Sequence, residues 1–257
     1  MFVNTFWLDK LDRRVLLEPH DFYVSQAKQR LLSQFNEISR EADEVEEQHY
    51  EKLGQFFDPD RDDPADSYEA AHQEGISHFI ALDEMRNTVT LAMTASVFHQ
   101  FDKALREKMA REFSHWQPAA VDPLIWSVDF PKLVELLEWT GIDIKSKPFY
   151  EKIEACHLLV NVYKHGKGPS HTELANKYPQ YYPSYTPRTG RRHNLPRPEQ
   201  LKVSEAQFTD IADAIREFWL NIPEFRNESH LRDQPEWFDK QMKRYDSYLN
   251  KNAAKKP

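Results

Sequence analysis

HLLVNVYKHGKGPS, residues 157–170, is apolar on most sides until it breaks at Gly166. Extended back to Pro148 and projected at 100° per residue, the segment puts Phe149, Ile153, Cys156, Val160 and Tyr163 on one stripe. Leu158, Leu159 and Val162 cover much of the remaining circumference. A helix this apolar is wrapped by neighbours, which predicts a helical bundle rather than a surface helix. Glu154, His157, Asn161 and His165 are the exceptions, and they stack at i, i+3 or i+4 spacing along one side, with Lys164 at its border. Burying four such groups without partners would cost about 1–3 kcal/mol each. The edge therefore faces a cleft, water, a second subunit or another polar helix. One reading is a structural network, with Glu154 holding His157 and Asn161 reaching Arg86, His99 or Asp102. The other is a functional cleft.

The flanking sequence agrees with an all-α chain. Asp21 to Gln55 reads as one long helix capped by Asp21, ending in the Pro- and Asp-rich FFDPDRDDPADS. Those aspartates lack the EF-hand order of ligands and glycine. Tyr68 to Ser114 is a second long helix, with small residues such as Thr90, Ala92 and Ala95 that admit a close neighbour. DFPKLVELLEWTG is a short helix with Asp129 as N-cap and Gly141 as its stop. A helix from Pro148 to about His165 ends at Gly166, and the next starts with Ser170 as cap and Glu173 closing a capping box. SEAQFTDIADAIREFWLNI is an amphipathic helix capped by Ser204, and Pro235 opens a last one. Trp126, Trp139 and Trp219 read as core. Strand signals are nearly absent. We expect a bundle of five to seven helices in two regions: an acidic long helix and linker over residues 1–66, and a bundle over 67–257 with an irregular basic loop at 178–200 and a C-terminal helix.

Composition narrows the function. The chain has 257 residues, 40% hydrophobic and 30% charged, with six glycines and no P-loop or dinucleotide-binding fingerprint. One cysteine, Cys156, excludes an intrachain disulfide and a Cys-rich zinc site, and its apolar setting marks it as a small buried hydrophobe. No apolar run reaches the roughly 20 residues of a membrane span. Charges near the N-terminus argue against a signal peptide, so a cytoplasmic protein with no membrane partner is expected. The net charge of −8 argues against indiscriminate nucleic-acid binding. It is unevenly spread, however. Residues 36–66 are strongly acidic, and residues 164–202 are strongly basic.

The polar edge suits one chemistry in particular. Histidine can serve as general acid or base near neutrality, asparagine can orient a hydroxyl, and Lys164, Lys167, Arg191 and Arg192 can neutralise phosphate. Attack of a ribose 2′-hydroxyl on its neighbouring phosphate needs these groups and no metal. His157 and His165 lie about 12 Å apart along a straight helix, too far to share one ion. His157 with Glu154 would supply only two ligands, so no metal or other cofactor is expected. The tyrosines of YPQYYPSYTP either stack on bases or pack the loop against the bundle.

NVYKHGKG after an apolar helical run resembles the signature helix of the HEPN superfamily, compact α-helical bundles of which many are metal-independent endoribonucleases in toxin–antitoxin, abortive-infection and phage-defence systems. SVFHQFDKALREKM is similar to the helix that packs beside it. The similarity spans residues 75–222 in helix order, with about ten residues specific. In the family motif an arginine, often followed by Asn, Asp or His, precedes a spacer and a histidine. Asn161 and His165 match; Val160 stands at the arginine position, and Lys167 where some members carry a tyrosine. The resemblance implies His165 as general acid/base, Asn161 as orienter, His157 as helper base or phosphate contact, and Glu154 in support. It also implies RNA as substrate, a homodimer whose catalytic helices meet in a cleft, and a protein partner such as an antitoxin. Two other readings stand beside it: a non-catalytic helical interaction module, and a small-molecule or nucleotide-binding bundle.

Overall fold

A computed structural model describes residues 3–183 and 195–253. The architecture is all-α, with nine α-helices and one two-stranded sheet among the described residues. In chain order these are β1 (Asn4–Trp7), α1 (Lys10–Arg30), α2 (Ile38–Gly54), α3 (Pro64–Phe113), α4 (Val121–Ser127), α5 (Phe130–Trp139), α6 (Tyr150–His165), α7 (Pro169–Lys177), α8 (Glu205–Asn221), β2 (Phe225–Asn227) and α9 (Glu236–Ala253).

Two helices more than expected have distinct causes. The first expected helix is two. Asp9, not Asp21, caps α1 by accepting from the Asp12 N–H at 2.8 Å, and α1 runs through Pro19. The chain then tightens into a 3-10 turn at Leu32–Phe35, whose Leu32 and Phe35 turn inward, before α2 starts. The stretch between the second long helix and Asp129, to which the sequence assigns no helix, contains α4. Strands are scarce, as expected: β1 and β2, of four and three residues, form the one sheet among the described residues, pairing antiparallel although more than 200 residues separate them (Asn4 opposite Asn227).

At about 1.5 Å per residue, the 50 residues of α3 make a spine roughly 75 Å long. Its first half pairs with α2, running antiparallel. Ala71 and Gly75 make the approach close: a Cβ on Gly75 would lie 3.0 Å from Cβ of Glu46 and 3.2 Å from the Ala42 carbonyl oxygen. Its second half enters the core, where Phe98 and Phe101 meet Phe130, Phe218 and Trp219 edge to face. Phe6, Leu8, Ala27 and Leu32 belong to this same core. Arg106, buried on α3, is held by Asp102 at 2.7 Å and donates to the carbonyls of Ile125 and Val128, at the last turn of α4 and just past it.

The caps of α5 and α8 are as expected. Asp129 accepts from the Lys132 N–H, and Ser204 with Gln207 closes a capping box. Gly141, at φ 81°, follows α5 where a Cβ would lie 2.5 Å from the His230 carbonyl oxygen. Trp139 and Trp219 are buried, but Trp126 is 46% exposed: α4 has two turns and buries only Val121 and Ile125. No described helix is long and apolar enough to cross a membrane.

Candidate functional site

α6 carries the site because its sequence buries one side and leaves the other polar. Ile153, Cys156, Leu159, Val160 and Val162 are all 3% exposed or less. Burial pushes the Cys156 thiol far above its usual range, so it stays protonated. Tyr163, expected on the inward stripe, is 41% exposed near the C-terminal end of the helix. Gly166 ends α6 at φ 68° while donating to the Val162 carbonyl at 2.8 Å. No atom would meet a Cβ there, so it is conformation rather than space that calls for glycine. The reversal brings the first turn of α7 back against the polar edge of α6.

That return makes the central contact. The Asn161 side-chain nitrogen donates to His157 Nε2 at 3.1 Å and to Ser170 Oγ at 3.3 Å. His157 Nε2 accepts, so the ring carries its hydrogen on Nδ1. The imidazole lies 5.5 Å from the Phe130 ring and 5.9 Å from Phe98, centroid to centroid. Burial among these groups pulls its pKa below the usual histidine value, against the opposing charges of Asp102 and Asp129. His99 is lowered too, by burial and then by the charge of Lys164 across the helix pair.

The network differs from the expected structural one. Glu154 does not hold His157. It accepts from the Tyr178 hydroxyl at 2.6 Å and pairs with Lys177 at 3.5 Å, tying α6 to the end of α7. Burial and this carboxylate raise the Tyr178 pKa. Asn161 does not reach Arg86, His99 or Asp102; its partners are on α6 and α7. Ser170, expected as an N-cap, lies inside α7, and Gly168 takes the cap position with no side chain to offer. Pro169 fits the first helical position, which shifts the start by two residues.

His165, Lys164 and Lys167 are exposed at the end of this edge, and His157, Asn161 and Glu154 are half-buried along it. The ion pairs of this region join Lys177 to Glu154 and Glu173. Lys164 and Lys167 have no carboxylate partner among the described residues. Arg191 and Arg192, expected to hold phosphate, lie outside the described residues, as does the rest of 184–194; Tyr178, Tyr181 and Tyr182 of the tyrosine-rich stretch are described and buried, packed on the bundle. Among the described residues no three or more His, Cys, Asp or Glu side chains are arranged to hold a metal ion.

A second cluster was not anticipated. Asn87 on α3 clasps the chain returning from the basic loop: it donates to the Leu201 carbonyl at 3.0 Å and accepts from the Val203 N–H at 3.1 Å. Asp83 binds Lys202 at 2.9 Å and Arg86 on the same surface. Burial raises and these cations more than offset it, holding Asp83 below the usual carboxylate range; the hydrogen bond from Lys202 is the largest influence. No local signal marks such a clasp, because its halves lie more than 100 residues apart.

No family model, curated protein or solved structure matches the chain.

Proposed function

We propose that the chain binds RNA along the polar edge of α6 and cleaves it without a metal, in the manner of HEPN ribonucleases of toxin, abortive-infection or phage-defence systems. One observation carries the proposal: Asn161, bonded to both His157 and Ser170, stands one turn from the exposed His165, which is flanked by two lysines free of carboxylate partners among the described residues. In this reading His165 takes the proton of a ribose 2′-hydroxyl as it attacks the adjacent phosphorus. The P–O5′ bond breaks, and the departing oxygen takes a proton from a second imidazole, brought by another copy of α6 across a dimer cleft. Asn161 orients, His157 is the helper base or phosphate contact, and Lys164 and Lys167 offset the charge of the transferring phosphate.

The test compares wild type with His165→Ala on a fluorescent oligoribonucleotide in chelator. The expected loss is about 10²–10⁴-fold in rate, the usual contribution of a general acid/base, with the thermal midpoint unchanged because the side chain is exposed. Equal cleavage by both proteins rejects the assignment.

A second reading has its own support. Val160, where the family arginine would stand, is 1% exposed and belongs to the core. The motif cation is thus absent from the edge, which favours a helical module that binds RNA or a protein partner without cutting. An inactive wild-type protein that still binds through Lys164 and Lys167 would select this second reading.

A further inference from the structure

The side of α1 that points away from the bundle is apolar. Leu16, Tyr23, Val24 and Ala27 turn inward onto the core, and His20 reaches the Ala212 carbonyl at 3.0 Å. On the opposite side Leu11, Val15 and Phe22 are 65%, 62% and 68% exposed. At 100° per residue the three fall within a sector about 40° wide. Single exposed hydrophobic residues are ordinary on a surface. Residues 11, 15, 18 and 22, however, repeat with the spacing of a coiled-coil seam, and Glu18 is the one polar member of the four.

The charges beside this seam select what can cover it. Arg14 and Asp21 lie on one flank, a heptad apart. Arg14 pairs with Glu18 at 2.8 Å and Asp21 with Arg216 at 3.3 Å, both largely exposed pairs that hold their groups weakly. An antiparallel second α1, related by a two-fold axis, sets Leu11 against Phe22 of the second copy and Val15 against its Glu18. Arg14 then faces Asp21 of the second copy, and the symmetry makes each contact twice. The two Arg14–Glu18 pairs meet near the axis, where their charges sum to zero. A parallel pair would instead stack Glu18 on Glu18 and set Arg14 against Pro19.

We propose that this face of α1 binds the same face of a second copy of the chain, antiparallel. The pairing uses a different helix from the α6 cleft and does not rest on the RNA reading. With 21 residues, α1 is about 31 Å long and about 10–12 Å wide, a footprint of roughly 300–400 Å² per copy. A standard interface takes about 800 Å² per partner. The dimer is therefore weak and forms at high protein concentration.

The test combines sedimentation of the full chain, from about 5 to about 500 µM, with cysteine cross-linking. Cys156 is buried and stays protonated, so introduced thiols react alone. In the proposed pairing position 11 meets position 22, whereas two copies of position 11, or of position 22, lie about 16 Å apart along the axis, beyond disulfide reach. Mild oxidation of Leu11→Cys mixed with Phe22→Cys is expected to give about tenfold more covalent dimer than either variant alone. Leu11→Glu, at an exposed position, is expected to keep its melting temperature and to lose about tenfold or more in association. Cross-linking of each cysteine variant with itself would show a parallel pair and overturn the proposal. A mass that stays monomeric overturns it too, as does one that rises equally in L11E, which assigns association to another face such as α6. Binding of a monomer to vesicles of phosphatidylcholine and phosphatidylglycerol, lost in L11E, would give the face to a membrane surface and likewise overturn the pairing.

Discussion

Lys108→Met tests how the N-terminal strand is anchored to the spine. The Lys108 ammonium, on a side chain only 4% exposed, lies 2.5 Å from Asp12 Oδ2 and 2.7 Å from Glu112 Oε1. It stands 5.8 Å from the centre of the Phe6 ring. Glu112 Oε2 in turn accepts from the Trp7 N–H at 3.1 Å, so the ion cluster also closes β1. Methionine keeps the length and apolar stem of lysine but leaves two carboxylates facing one guanidinium, that of Arg111. Breaking a buried pair costs about 3–5 kcal/mol. Arg111 and the Trp7 N–H remain, and Asp12 can reach water, so we place the cost lower, at about 2–3 kcal/mol. For a chain of this size that is a fall in melting temperature of roughly 4–12 °C. Urea unfolding followed by circular dichroism and tryptophan fluorescence measures it. Glu112→Gln added to Lys108→Met should recover at least about 1 kcal/mol relative to the sum of the single changes, because it removes the stranded charge. A loss under about 0.5 kcal/mol, or strict additivity, would refute the reasoning.

Two further predictions concern acid and glycine. His20, His99 and His157 all have pKa values lowered chiefly by burial, so the unfolded chain takes up their protons first as pH falls below about 6.5. Their stability contribution is full above that pH and is lost through the window below it; urea midpoints that stay flat from pH 7.5 to 5.5 would contradict this. The lowered carboxyls of Asp12, Asp83 and Asp143 act in a separate window, below about pH 4. Gly141→Ala should cost about 2 kcal/mol or more, from positive φ and from the His230 carbonyl, whereas Gly166→Ala, with open space around it, should cost only about 1–2 kcal/mol. Equal midpoints for the two variants would show that the clash contributes nothing.

Local chemistry explains what was legible in the sequence. Asp129, Pro131 and Ser204 act within one turn of their own helices, and their caps could be read directly. The buried side of α6 followed from its apolar residues, and its end from Gly166. Features that depend on distant partners were hidden. The four residues of β1 do not alternate, being exposed, buried, buried and exposed, so nothing local signals a strand, and their partner β2 lies more than 200 residues away. Asp21 has the composition of a cap, yet it lies inside α1, which starts at Lys10 and accommodates Pro19. Ser170 has the composition of a cap, but Pro169 outcompetes it for the first turn. The partners of Asn161 could not be foreseen either, since they depend on how sharply the chain turns at Gly166.

The pairing of β1 with β2 has a consequence for how the protein is made. Phe6 and Leu8 leave the ribosome some 220 residues before Phe225–Asn227 exist to pair with their segment. At roughly 5–20 residues per second, the wait is on the order of ten to forty seconds. During synthesis the nascent chain thus carries Phe6 and Leu8 with no strand edge to join until β2 has been made.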